Sequence, residues 1–179
     1  RTDGSLIALI ANYAIHGTVL GSKNTLISGD VPGIISEYVE NQLGAPMLFI
    51  NGAEGNIAPI YSVRDKFASK YVEDFYTLLG NRIVSTNDAI KDMTSAVEFS
   101  FDKTVVETPR KAGLRWPAAL ADYEGVAGDG TALVRIPVPT LTINDDTVIW
   151  AAPLELFCEI AIDIRKASPF TKTFYFGLT

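Results

Sequence analysis

Two residues of this chain have the chemistry of zinc ligands, and each follows a predicted strand. His16 is the only histidine among the 179 residues and comes directly after the apolar run at residues 6–15. Glu155 comes shortly after the apolar segment 148–151. A neutral imidazole nitrogen and a carboxylate oxygen are both donors that zinc accepts. Each residue also has a simpler interpretation: a hydrogen-bonded core histidine, and an acid that compensates the dipole of a following helix.

Composition and motifs exclude several other classes of protein. The net charge is −6 and the sequence has no stripe of basic residues that could bind phosphates, so we expect no nucleic-acid partner. Cys158 is the single cysteine, which excludes an internal disulfide and a cysteine-based metal cluster. No apolar run reaches the roughly 18 residues that a transmembrane helix needs. The sequence contains no G-x-S-x-G elbow, no P-loop and no G-x-G-x-x-G dinucleotide motif.

The first half of the sequence predicts a βαβ unit. The apolar run 6–15 is typical of a central strand covered on both faces. A helix is predicted to open at Pro32 and close at Gly44, and the short apolar segment 46–51 is a second strand. Such a unit favours a parallel strand pair with a right-handed crossover. Apolar residues at helical spacing then predict one long amphipathic helix over residues 63–90.

The second half predicts strands followed by a helix and a final strand. Alternation over residues 97–105 indicates a half-buried strand, and segments 141–143 and 148–151 indicate a hairpin. A helix with an apolar stripe is predicted to begin at Pro153 and to end at Ser168-Pro169. We therefore expect a layered α/β domain with a mixed, largely buried sheet flanked by helices. Because both ends look like strands without partners, we expect residues 1–179 to be part of one domain that is incomplete at both ends.

Several of these segments resemble the N-terminal catalytic domain of the neutral/alkaline non-lysosomal ceramidases. The resemblance lies in Asn12-Tyr13-Ala14-Ile15-His16-Gly17-Thr18, in Ser28-Gly29-Asp30-Val31-Pro32-Gly33 and in Pro153-Leu154-Glu155. It implies that His16 and Glu155 are zinc ligands, with Leu154 in place of a family glycine. It also implies a further histidine and a tyrosine ligand from segments outside this chain. A shared zinc ion would bring the donor atoms of His16 and Glu155 within roughly 3–4 Å of each other.

The glycine-rich loop after the second strand departs from the family pattern. Sphingolipid-cleaving members read G-D-V-S-P-N, whereas this chain has Gly55-Asn56-Ile57-Ala58-Pro59-Ile60. The resemblance implies substrate contacts from Gly55, Asn56 and Ala58, but alanine supplies no hydroxyl, so no catalytic side chain is assigned and the chemistry would rest on metal-activated water. The alternative is a glycine-rich turn packed beneath the site.

Asp30 and Asn56 are candidates to orient the metal ligands without binding the metal themselves. Metal-bound histidines usually donate their second N–H to a carboxylate or carbonyl, a role open to Asp30 toward His16. Asp30 is equally suited to be a helix N-cap or a turn residue.

The function implied by the resemblance is a zinc-dependent hydrolase of N-acyl amide linkages, with ceramide as the reference substrate. The expected partners are a lipid-like or small N-acyl substrate and the remaining segments of the same protein, with contact to a membrane surface left open. The family resemblance, rather than any signal in the chain, implies a secreted or periplasmic location. Two alternatives stay open: a zinc hydrolase for a non-sphingolipid amide or ester, and a non-catalytic binding module that keeps the fold.

Overall fold

A parallel βαβ unit opens the fold in the computed structural model, which describes residues 1, 3–60, 62, 68–113 and 115–178. Strand β1 (Leu9–Tyr13) and strand β2 (Met47–Asn51) pair in parallel, and helix α1 (Asp30–Leu43) lies between them in sequence. Gly44 ends α1 with a φ of 64°, a left-handed conformation that glycine adopts at low steric cost. The predicted strand–helix–strand unit and its parallel pairing are confirmed.

The first hydrophobic core lies between α1 and the helical segment that follows β2. Val31, Ile35 and Val39 of α1 are fully buried, and Phe75 and Leu79 pack in the same cluster. The spacing of apolar residues therefore predicted the buried face of this segment correctly.

The prediction of one continuous α-helix over residues 63–90 is wrong for the part that the structure describes. Ala68–Asp74 is a 3₁₀-helix, Tyr76–Gly80 is a π-helix, and only Asn81–Ala89 is α-helical (α2). Apolar spacing determines which side chains meet the core. It does not determine whether each backbone hydrogen bond connects residues that are three, four or five positions apart in the sequence. Residues 63–67 of the predicted helix lie outside the described residues.

A mixed five-stranded sheet forms the second half of the fold, as predicted for this α/β chain. Its strands are β3 (Phe99–Pro109), β4 (Glu124–Val126), β5 (Ala132–Ile143), β6 (Thr147–Ala152) and β7 (Lys172–Gly177). The order is β3-β5-β6-β7, with β4 also paired to β5. The pairing of β7 with β6 is parallel and the other pairings are antiparallel. The predicted β5–β6 hairpin is confirmed, with its turn at residues 144–146.

Burial of the strands is less complete than the sequence predicts. Every residue of β3 is exposed, including Phe101 at 69%, although the alternation predicted a half-buried strand. The physical reason is that β3 is an edge strand, and α1 and the helical segment after β2 form their core against β1 and β2 instead. Ile10 in β1 is 57% exposed, so β1 is not covered on both faces as predicted.

Helix α3 (Cys158–Ala167) begins later than predicted, at Cys158 rather than Pro153. The carbonyls of Leu154 and Leu156 accept hydrogen bonds from Tyr175 and Gly55, so they do not serve as the first acceptors of a helix. Glu155 therefore precedes the helix, and its predicted place in the first helical turn is wrong. The helix ends at Ser168 as predicted, but none of its residues is buried. No helix in the described part of the chain is long and apolar enough to cross a membrane.

Tyr175 anchors β7 to the segment that leads into α3. Its side chain is 5% exposed and packs with Ala53 and Ala152 in the second hydrophobic core. Its hydroxyl donates to the carbonyls of Ala152 (3.2 Å) and Leu154 (2.8 Å). Burial, followed by the charge of Glu54, raises the pKa of Tyr175 to about 12. The phenol therefore stays neutral and donating well into the alkaline range.

We expect Tyr175→Phe to lower the free energy of unfolding by about 1 kcal/mol at pH 8, because the carbonyls of Ala152 and Leu154 lose their donor. The folded-state pKa lies above the ordinary value of 10.0, so this contribution is complete below pH 10 and is lost as the pH rises through about 12. Urea denaturation of both proteins between pH 8 and 12 measures it. The exposed Tyr13→Phe is the control, and equal stability of Tyr175→Phe and wild type at pH 8 would contradict the assignment.

Candidate functional site

The side chain of Asn51 holds the end of β1 in the position that presents His16. Its Oδ1 accepts the N–H of Ile15 at 3.0 Å, and its Nδ2 donates to the carbonyl of Ile15 at 3.0 Å. This amide continues the pairing of β1 with β2 beyond the last backbone pair. The next residue, His16, then donates its own N–H to the carbonyl of Ile57 at 3.1 Å. His16 is thereby fixed against the glycine-rich loop and is half-buried.

The segment that carries Glu155 packs on the same loop. The Gly55 N–H donates to the carbonyl of Leu156 at 2.9 Å. A Cβ atom at Gly55 would lie 2.1 Å from the backbone oxygen of Glu155, so only glycine permits this approach. The two predicted ligands, which are far apart in sequence, are thus attached by backbone contacts to one loop. Whether their side chains share a metal ion stays a prediction.

Glu54, directly before the attachment point at Gly55, is the residue that sequence analysis overlooked. It is 0% exposed, and neither carboxyl oxygen has a hydrogen-bond partner in the described structure. Burial raises the pKa of its carboxyl. Its own backbone amide and His16 lower that pKa, and Glu155 raises it. His16 and Glu155 thus both lie within electrostatic reach of the Glu54 carboxyl. One signal was available: an acid surrounded by small residues in a tight loop has little room to reach solvent.

The carboxylate of Asp30 binds backbone amides. Its oxygens accept the N–H groups of Val19 (3.1 Å), Leu20 (2.8 Å) and Val31 (2.7 Å). Asp30 is 8% exposed and has a φ of 48°, a conformation that aspartate tolerates better than most residues. These bonds match the turn-residue alternative, in which Asp30 fixes the loop after His16. A direct role of Asp30 toward His16 stays a prediction.

Asn56 and Ala58, the other residues of the loop that were singled out, differ in their surroundings. The Asn56 Oδ1 accepts the N–H of Cys158 at 2.9 Å and its Nδ2 donates to Glu159 at 2.7 Å, so Asn56 caps the start of α3. The pKa of the Glu159 carboxyl is lowered by its own backbone amide and then by Asn56. Ala58 is exposed, so a larger side chain there would face solvent.

The donor types at this loop fit zinc, but the described residues do not complete a site. His16 offers nitrogen, and Glu54 and Glu155 offer oxygen, which are donors that zinc accepts. The orphaned buried carboxyl of Glu54 is also the kind of group that a cation would compensate. However, no three His, Cys, Asp or Glu side chains among the described residues lie close enough to hold a metal ion together. A zinc ion here would need at least one further donor.

A cleft of about 500 Å³ adjoins the loop on the side of β1 and α3. Its walls combine aromatic and aliphatic groups with a few polar ones, and Gly52, Ala53 and Ile57 of the loop contribute to the lining. The predicted ligands His16 and Glu155 are not among the residues that line this cleft. The expectation that they face a common cleft stays a prediction.

Comparison with solved structures relates the fold to ceramidases. The neutral ceramidase from Pseudomonas aeruginosa matches with a TM-score of 0.59 and 14% identity, over 94% of this chain and 36% of that chain. A structure described as ceramidase complexed with C2 matches with a TM-score of 0.65 and 16% identity, over 98% of this chain and 39% of that one. The predicted likeness to this family is thus confirmed for the fold. The chain spans well under half the length of these structures. No protein-family model and no curated protein sequence matches it significantly.

We expect Gly55→Ala to destabilise the fold by about 1–3 kcal/mol, because its Cβ would collide with the Glu155 backbone and break the hydrogen bond to Leu156. Gly33→Ala is the matched control. It lies inside α1 with no atom within 4 Å of the new Cβ and should be neutral or stabilising by up to about 1 kcal/mol. Urea denaturation compares the variants, and a Gly55→Ala protein as stable as wild type would disprove the close contact.

Proposed function

We propose that the chain is part of a zinc-dependent hydrolase that cleaves N-acyl amide linkages in the manner of a ceramidase. The observation that carries this proposal is the shared fold, together with the attachment of the His16 and Glu155 segments to one loop. A catalytic zinc site usually takes three protein ligands and leaves a position for water. In this proposal the remaining ligands come from other segments of the same protein, and the secreted or periplasmic location of the family applies.

The roles of the chain's own residues follow from their chemistry. His16 supplies a nitrogen donor and Glu155 an oxygen donor, and the bound metal would polarise the amide carbonyl and lower the pKa of water. Asn51 and Gly55 position the two donors through the backbone contacts of the loop. In the reaction the water oxygen bonds to the carbonyl carbon, the C–N bond breaks, and the nitrogen leaves with a proton as the amine.

Ala58 favours a second candidate, a zinc hydrolase for an amide or ester that is not a sphingolipid. The loop provides no hydroxyl at the position where sphingolipid-cleaving relatives have serine, and Ala58 itself is exposed. A binding module without turnover is the remaining alternative. It differs from both hydrolases because it predicts no metal-dependent cleavage of any N-acyl substrate.

The metal assignment predicts that the full-length protein binds zinc and that His16→Ala and Glu155→Ala each abolish or severely weaken binding. The loss should exceed the roughly 10–100-fold that follows removal of a partner outside the ligand set. Titration calorimetry with zinc measures the affinity, and hydrolysis of a fluorescent N-acyl substrate with and without chelator measures the activity. Glu98→Ala, at an exposed carboxylate before β3, is the control. Zinc binding unaffected by both substitutions, or chelator-insensitive hydrolysis, would refute the proposal.

The loop predicts a substrate preference. Because a positioned polar contact at a reacting centre contributes about 10²–10³ in rate, we expect weak ceramide cleavage by the wild type and faster cleavage by Ala58→Ser. A simpler amide or ester should be hydrolysed at similar rates by both proteins. Ala118→Ser makes the same change at another exposed position and should alter neither rate. Efficient ceramide cleavage by the wild type would contradict this interpretation of Ala58.

A further inference from the structure

The carboxyl group of Glu54 is the most unusual polar group in the described part of the chain. It is fully buried, and both of its oxygens lack a hydrogen-bond partner. An ionised carboxylate in such a place costs free energy unless a charge or a metal compensates it. Native proteins contain few groups of this kind, and each one calls for a specific explanation.

The surroundings of Glu54 point to a missing positive charge. Burial, the largest cause, raises the pKa of the Glu54 carboxyl, its own backbone amide and His16 lower it, and the charge of Glu155, a second acid, raises it. Glu54 and Glu155 together carry two negative charges when ionised. A divalent cation next to them would offset both, and a bound ion is often the dominant charge of such a site.

We propose that Glu54 supports a divalent cation held at His16 and Glu155. Its buried carboxylate contributes negative charge near the ion without ligating it. This inference rests on the proposed function, because it takes His16 and Glu155 as the ligands. A role outside the ligand set agrees with the spacing of the acids and the histidine, which does not place three of them around one point. The rigid attachment of the loop at Gly55 and Ile57 keeps the carboxylate in that place.

A purely structural role is the competing explanation. The Oε2 atom of Glu54 would lie 3.1 Å from a Cβ atom built on Gly177, so the side chain fills the space beside β7. If filling that space were its only role, a side chain of equal volume without charge would serve equally well. The two explanations therefore differ in what happens when only the charge is removed.

The test uses the neutral variants Glu54→Gln and Glu54→Leu in the full-length protein, with Glu37→Gln as the control at an exposed carboxylate of α1. Titration calorimetry with zinc alone gives affinity and stoichiometry, and urea denaturation of the metal-free proteins gives stability. We expect both variants to bind one zinc ion about 10–100-fold more weakly than wild type. Metal-free Glu54→Leu should be at least as stable as wild type, because an unpartnered buried acid is replaced by an apolar group.

Three other results would overturn the inference, and each identifies which part of it is wrong. Unchanged zinc affinity in the neutral variants, with His16→Ala still losing the ion, refutes the role of Glu54 but leaves the proposed function intact. Metal-free variants that both unfold or are less stable than wild type show that the side chain serves the fold instead. A wild-type protein that binds no zinc refutes the inference and the proposed function together.

Discussion

The backbone contact between Gly55 and the segment 155–156 is the constraint on which the arrangement of this molecule depends. Within the described residues the β1–β2 pair and the five-stranded sheet are separate sheets, and this loop lies where they meet. The approach leaves no room for a side chain at Gly55. Asn12 reinforces the junction, because its side chain donates to the carbonyls of Ile50 and Tyr175 and so connects β1 with strands of both sheets. Specificity for this packing therefore comes from small residues and amide side chains as much as from the hydrophobic cores.

Local signals in the sequence were sufficient for the elements whose ends are determined locally. Gly44 marks the end of α1, and Pro32 lies two residues after its observed start at Asp30, because their backbone preferences act within one helical turn. The apolar spacing around Phe75 identifies a buried face directly. The turn residues 144–146 likewise locate the β5–β6 hairpin. The mixed α/β class follows from these elements, and His16 and Glu155 were brought to the same loop by the tertiary structure.

Features that depend on distant partners were not predictable from the sequence. The start of α3 moves to Cys158 because Tyr175 and Gly55 bind the carbonyls that a longer helix would need. The exposure of β3 reflects its place at the edge of the sheet, where the described residues cover neither of its faces, and alternation does not encode that place. Glu54 looks like an ordinary polar loop residue until the fold buries it. In each case a tertiary contact outweighs a correct local preference.

The presence of only one histidine, His16, in this chain has a consequence for spectroscopy. Every imidazole resonance that this sequence contributes to a nuclear magnetic resonance spectrum comes from this one ring. Within these 179 residues the signal has a single source, and it reports which ring nitrogen carries the proton and which is bound by another group. The composition of the chain thus provides a single-site spectroscopic reporter at the loop where the two sheets meet.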